Sequence, residues 1–223
     1  MDYRHEWKFE MNAADVLTLR MRLKAVMSYD KHTVDGLYTI RSLYFDTASD
    51  KALREKIDGV NKREKFRIRY YNGDKSLIKL EKKSKLNGLG NKQTAKLSEA
   101  EVTALLMGDR DWMREHSSPL VREFYAKMAM EGLNPKTVVD YTREAYTYPA
   151  GNVRVTIDSN IRTAVDCTQF LDPDCVTIPA GDAPTIIEVK WDGFLPDIIK
   201  DAVSVPNRRV GAFSKYAQCR IYG

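Results

Sequence analysis

Histidine and cysteine are both scarce in this chain. His5, His32 and His116 share no motif, which sets aside histidine-based catalysis and a histidine metal site. Cys167, Cys175 and Cys219 are odd in number and have no CxxC spacing, so neither a disulfide framework nor a zinc site is expected, and a reducing cytoplasm fits. No apolar run approaches the roughly 20 residues of a spanning helix. The opening MDYRHEWKFE is charged and aromatic, unlike a signal peptide. A cytoplasmic location is therefore expected, and association with a membrane would need a membrane-protein partner. There is no Gly-rich phosphate loop either, because Gly88 and Gly90 lie in GLGNKQTAK, which has neither the GxxxxGKS/T spacing nor an apolar helix after it. Low-complexity tracts and internal repeats are also missing.

What is present suits a folded, soluble chain. The 223 residues, 43% hydrophobic and 30% charged, are enough for a single domain over 1–223 with a real core. Basic residues number 36 against 31 acidic, a net charge of +5, so an anionic ligand is plausible and the placement of charge matters more than its total. Strand-like segments are 6–11, 37–45, 65–71, 76–83, 137–146, 153–158, 161–165 and 185–191. NGD at 72–74 and YPAGN at 148–152 are turn signals. Helical periodicity covers 12–27, 98–107, 119–130, 196–202 and about 210–221, each with one apolar stripe. The segment 83–96, KSKLNGLGNKQTAK, reads as a mobile basic loop. Strands with hairpins among them, interrupted by helices, predict an α+β fold with a largely antiparallel sheet.

Splitting each strand into its two faces gives a consistent pattern. Trp7 and Phe9 oppose Glu6 and Lys8; Phe66, Ile68 and Tyr70 oppose Lys65, Arg67 and Arg69; Ile78 and Leu80 oppose Lys79, Glu81 and Lys83. Further on, Val153, Val155 and Ile157 oppose Arg154, Thr156 and Asp158, while Ile187 and Val189 oppose Glu188 and Lys190. Tyr141 and Arg143 share a side. Lys82 points away from the polar face and serves as an internal control. Two arrangements satisfy this pattern. One is a sheet with a solvated charged face, in which Glu6 and Glu81 are cross-strand partners of lysines. The other is a barrel with its apolar side under the helices and a charged interior. Like charges at strand spacing repel, and a polyanion is their natural counter-charge. Carboxylates among them suit Mg²⁺ or Mn²⁺ bridging to phosphate, so the second arrangement points to phosphoryl transfer.

The segments RHEWKFE (4–10), YTIRSLYFDT (38–47), REKFRIRYYN (63–72), LIKLEKKSK (77–85), DYTREAY (140–146), VRVTIDSNIRT (153–163), TIIEVKWDGFLP (185–196) and FSKYAQC (213–219) follow one another in an order and spacing that resemble a known family. It is the polyphosphate polymerase (vacuolar transporter chaperone, VTC) domain of the triphosphate tunnel metalloenzyme (CYTH-like) superfamily. The resemblance implies a closed antiparallel β-barrel with helices packed outside. It also implies transfer of the ATP γ-phosphate to a growing polyphosphate chain, with Mn²⁺ or Mg²⁺ assisting. It marks Arg67, Arg69, Lys79, Arg143, Arg154 and Lys215 as catalytic phosphate-holding positions. Lys8, Tyr141, Lys190, Ser214 and Lys83 become substrate contacts, with Lys92 an alternative to Lys83, and Glu188, with Glu6, becomes the metal carboxylate. Hydrolase branches carry E-x-E-x-K on the first strand, where this chain has Arg4, Glu6 and Lys8, which favours the polymerase branch and a single ion. The expected partners are ATP and inorganic polyphosphate, triphosphate or pyrophosphate, and nucleic acid is not among them. A triphosphate or nucleoside-triphosphate hydrolase on the same tunnel, and a non-catalytic polyphosphate- or nucleotide-binding module, remain alternatives.

Overall fold

A computed structural model of the chain describes residues 4–87, 89–182, 184–206 and 208–222. The strands are β1 (His5–Met11), β2 (Ser28–Tyr29), β3 (Leu37–Asp46), β4 (Lys62–Tyr71), β5 (Asp74–Leu86), β6 (Leu89–Leu97), β7 (Asn134–Tyr148), β8 (Val153–Ala164), β9 (Thr177–Pro179) and β10 (Thr185–Trp191). The helices are α1 (Ala13–Val26), α2 (Lys51–Ile57), α3 (Glu99–Leu106), α4 (Pro119–Glu131), α5 (Asp197–Val203) and α6 (Lys215–Tyr222). Hydrogen-bonded neighbours follow the order β1-β10-β8-β7-β3-β4-β5-β6, with β2 on β7 and β9 on β8. The fold is α+β with an antiparallel sheet. Its hydrogen-bonded order starts at β1 and ends at β6 without returning, so the closed barrel implied by the resemblance is not formed by strand pairing among the described residues.

The chain forms two compact units, one from 1–39, 141–161 and 181–215, the other from 40–140, 162–180 and 216–223. In the first, Leu19 and Leu23 of α1 pack with Val155, Ile157, Ile187 and Val189 under the sheet. These are the apolar positions that strand alternation assigns to one face, so burying them turns their charged neighbours to the other side. Asn12 begins α1 by accepting a hydrogen bond from the Asp15 amide at 2.9 Å. In the second unit the core gathers Phe45, Phe66, Ile68, Ile78, Leu80, Val102 and Phe124, with Phe124 stacked on Phe66 at 5.1 Å and meeting Phe45 edge-on at 4.8 Å. Ser98 and Glu101 form a reciprocal capping box at the start of α3. Pro119 opens α4, and Gly132 ends it with a left-handed φ of 69°.

Four segments differ from the sequence reading. Within 83–96 the described residues are mostly strand, with Gly88 outside the description: β5 runs on to Leu86 and pairs with β6 from Ile78↔Leu97 to Leu86↔Leu89. Cross-strand pairing overrides a Lys-, Asn- and Gly-rich composition there. The segments 153–158 and 161–165 are one strand, β8, in which Asn160 takes a φ of 51° without ending the strand. The last helix starts at Lys215 instead of near Val210. The short α2 is not among the helices expected from the sequence; Leu53 and Ile57 stand one turn apart in it, and none of its residues is buried. The Asp46 carboxylate at the end of β3 fixes its first turn by accepting from the Ala52 and Leu53 amides at 2.9 and 3.1 Å.

Gly151, in the β7–β8 connection, has a φ of 72°, and a Cβ there would lie 2.3 Å from the Phe194 carbonyl oxygen. Gly151→Ala is therefore expected to destabilise the protein by about 2 kcal/mol, read as a lower urea midpoint with an unchanged slope.

Candidate functional site

In the first unit, register assembles the charged face. Lys8 lies opposite Glu188 and Glu6 opposite Lys190; on the far side of β10, Glu188 faces Thr156 and Lys190 faces Arg154. Four side chains close a square of alternating charge. Lys8 Nζ is 2.8 Å from Glu6 Oε1 and 3.3 Å from Glu188 Oε1. Lys190 Nζ is 2.6 Å from Glu188 Oε2 and 3.5 Å from Glu6 Oε2. Beside the square, Arg143 donates through Nε and Nη2 to the two oxygens of Asp158 at 2.6 and 2.7 Å, and its Nη2 lies 3.8 Å from Glu188. Lys215, at the start of α6, reaches Asp158 at 2.5 Å. The Tyr141 ring carries both cations, 5.4 Å from Arg143 and 4.8 Å from Lys215. Arg154 turns elsewhere, donating to the Tyr38 hydroxyl at 2.8 Å and pairing with Asp30 at 3.0 Å. Ser214 is half-buried immediately before α6.

Burial alone would raise the carboxyl pKa values here, and the cations overcome it. Lys190, Lys8, Arg143 and Lys215 hold Glu188 well below the usual carboxylate range. Arg143 and Lys215 lower Asp158 in the same way. At Glu6, burial and the neighbouring Glu188 push the pKa up, but Lys8 and Lys190 bring it below its ordinary value. Burial works against the charge on Lys8, yet Glu188 and Glu6 raise its pKa. Glu188, Asp158 and Glu6 are thus held in their charged forms by the neighbouring cations, and Lys8 by the neighbouring carboxylates.

The second unit presents a face that is almost wholly cationic. Arg67 and Arg69 on β4 are 7% and 5% exposed, and both reach the fully buried Glu81 of β5. Arg67 donates to Glu81 Oε2 through Nε and Nη2 at 2.7 and 2.5 Å and to the Tyr44 hydroxyl through Nη1 at 2.8 Å. Arg69 donates to the Ser42 hydroxyl at 2.9 Å and stands 3.9 Å from Glu81. Lys92 of β6 pairs with the other Glu81 oxygen. Register places Lys79 between Arg69 and Lys96, and Lys83 between Lys65 and Lys92. Three lysines in one cross-strand row repel. Burial raises the Glu81 pKa, but Arg67, Arg69 and Lys92 hold it well below the carboxylate range. Lys82 faces the opposite side and pairs with Glu64 and Glu123, as alternation requires.

The structure thus joins Lys8, Lys190, Glu6, Glu188, Arg143, Lys215 and Tyr141 in one cluster, and Arg67, Arg69, Lys79 and Lys83 on another face. It sets Arg154 on Asp30. Sequence reasoning assigned no role to Asp158 as the shared anchor of Arg143 and Lys215, nor to Tyr44. Alternation places Asp158 on the charged face with Arg154, and Tyr44 on one face with Ser42, but it does not show which cations they meet. Among the described residues no three His, Cys, Asp or Glu side chains converge on one point, so a complete protein cage for a metal is not built. Glu6 and Glu188, bridged by the same two ammonium groups, do fit one hard divalent ion that keeps oxygen ligands from water or phosphate.

The family model described as the VTC domain matches residues 3–221. The chain belongs to the VTC domain family. No curated protein matches it. Among solved structures, this VTC domain is similar to a putative adenylyl cyclase from Hippeastrum described as having a dominant triphosphatase activity. That likeness has 13% identity and a TM-score of 0.57, covering 100% of this chain and 96% of the other. A putative adenylate cyclase from Bacillus halodurans is similar at 15% identity and a TM-score of 0.51, covering 92% of this chain and 94% of the other. At these identities the likeness establishes the fold. No described helix of this VTC domain is long and apolar enough to cross a membrane.

Two outcomes follow from these environments. Arg143→Met leaves Asp158, fully buried, with Lys215 alone, and should cost about 3 kcal/mol of unfolding free energy in urea at neutral pH. The loss should shrink in acid, as Asp158 is protonated and no longer needs the partner. Burial opposes ionisation of Tyr44, but Arg67, Lys65 and Arg69 bring its pKa down to about 7. An ultraviolet phenolate band should therefore grow as pH rises through neutrality and be missing in Tyr44→Phe.

Proposed function

We propose that this VTC domain is an ATP-dependent polyphosphate polymerase, transferring the γ-phosphate of ATP to a growing polyphosphate chain. The observation that carries the reading is the cationic face of β4, β5 and β6. Arg63, Lys65, Arg67 and Arg69 run along one strand, with Lys85, Lys83 and Lys79 opposite them. From Arg63 to Arg69 that face extends about 20 Å at about 3.3 Å per residue, longer than a single triphosphate needs. Glu81 is the carboxylate among these cations, and the buried repulsion favours a ligand with many regularly spaced negative charges.

In this reading Arg67, Arg69, Lys79, Lys83 and Lys92 hold phosphate oxygens in the second unit. Arg143, Lys215, Lys8 and Lys190 hold them in the first, with Arg154, Tyr141 and Ser214 as further contacts. The guanidinium forks match phosphate oxygens in pairs, and the ammonium groups act as movable point charges. Their work is to orient the two reacting phosphates and to neutralise charge that accumulates on the transferred group. No strong base is needed, because the attacking phosphate oxygen is already anionic. Glu188, with Glu6, would hold one Mg²⁺ or Mn²⁺, which would supply charge neutralisation to the phosphates. ATP and inorganic polyphosphate, triphosphate or pyrophosphate are the ligands this predicts, and a cytoplasmic setting supplies them.

A second reading, hydrolysis of a triphosphate at the same residues, is supported by the activity described for the Hippeastrum neighbour. Incubation with ATP and Mn²⁺ followed by gel electrophoresis separates the two. The polymerase reading expects long polyphosphate, and release of orthophosphate without chain growth would replace it with hydrolysis. Tight binding of ATP without turnover under either ion would leave a binding module. Arg67→Ala and Arg69→Ala should each lower turnover by about a hundredfold or more, and Glu188→Gln should remove metal dependence. Wild-type rates in all three would overturn the site assignment.

A further inference from the structure

The alternating square of Glu6, Lys8, Glu188 and Lys190 is internally satisfied. Each ammonium touches both carboxylates, at 2.8 and 3.3 Å for Lys8 and at 2.6 and 3.5 Å for Lys190. The four groups sum to zero charge; Glu188 is buried, Lys8 and Lys190 are half-buried, and Glu6 is exposed. A divalent cation arriving alone would have to displace ammonium groups and leave them beside it without counter-charge. A phosphate arriving alone would have to draw the ammonium groups from both carboxylates, leaving Glu6 without them and Glu188 with Arg143 at 3.8 Å, each facing the anion. Either arrival leaves desolvated charge unpaired, which costs several kcal/mol.

Arrival of both together removes that cost. We propose that the square is a partner-exchange site, in which the divalent cation takes over Glu6 and Glu188 while Lys8 and Lys190 turn to the oxygens of the phosphate that accompanies it. Each ion supplies counter-charge to the groups the other displaces, and by thermodynamic linkage metal and anion each raise the other's affinity by the same factor. The inference rests on assigning this cluster to phosphate and metal, and adds to it that the resting ion pairs act as a lock opened only by the metal–phosphate pair. Free metal and free phosphate are then both poor ligands, which selects the complexed triphosphate over either component.

The test is equilibrium binding by titration calorimetry and by paramagnetic resonance of free Mn²⁺. In the wild-type chain, inorganic triphosphate should bind about tenfold or more tightly with Mg²⁺ than without it, after correction for the complex formed in solution. Two variants should improve binding of a single component. Lys190→Met frees carboxylate oxygens, so Mn²⁺ without phosphate should bind about tenfold more tightly. Glu188→Gln frees ammonium groups, so triphosphate without metal should bind about tenfold more tightly. Lys82→Met, on the opposite face of β5, should change neither. If Mg²⁺ leaves the wild-type triphosphate affinity unchanged, or if Lys190→Met weakens Mn²⁺ binding, the exchange is wrong. The wild-type measurement holds whatever the stability of the variants. Chain growth from ATP is scored separately: its absence alongside cooperative binding removes the polymerase reading and leaves the exchange standing, and its presence with independent binding overturns the exchange alone.

Discussion

Arg67 and Arg69, two guanidinium groups that are 7% and 5% exposed, lean on a single carboxylate, Glu81, which has no exposure at all. Water cannot hydrate them, and one buried acid cannot neutralise two guanidiniums together with the Lys92 ammonium that reaches it too. A chain keeps such an arrangement only where folding energy from elsewhere holds it. Here that energy is the apolar side of the same strands, where Phe66, Ile68 and Leu80 are packed with Phe124 under α4. The same alternation that buries those side chains obliges the arginines to face the other way. The core and the unfavourable charge are therefore two consequences of one strand pattern.

The two units meet this constraint differently. In the first, carboxylates are near enough in number to the cations that most charge is paired: Asp158 with Arg143 and Lys215, Asp30 with Arg154, and Glu6 and Glu188 with the two lysines. In the second the cations run in rows, as with Lys65, Lys83 and Lys92, and the deficit remains. The paired cluster suits a site whose ligands must bring both signs of charge. Rows of like charge suit a ligand that brings only negative charge.

Much of this was legible in the sequence because it follows from period-two alternation. The split of Phe66 and Ile68 from Arg67 and Arg69, and the position of Lys82 on the opposite side, needed no other information. Pairing of Arg154 with Asp30, and of Lys215 with Asp158, was not legible, since those partners come from segments far apart in the chain and are joined by tertiary packing. The β5–β6 hairpin was misread because its Lys, Asn and Gly content mimics a loop, while its strand character comes from the ladder with its neighbour. Closure of a barrel, drawn from resemblance, does not appear in the hydrogen-bonded order of strands. Alternation fixes which way a side chain faces but says nothing of how many strands the sheet joins.

The central claim is that these charged faces are ligand sites and not ion pairs serving solubility. The most direct measurement is the melting temperature in the presence of rising inorganic triphosphate with Mg²⁺, against sulfate at matched ionic strength. A ligand of the folded state raises the melting temperature with the logarithm of its concentration, and the account predicts this rise for triphosphate and a much smaller one for sulfate. Equal shifts for the two anions, or none for either, would contradict it.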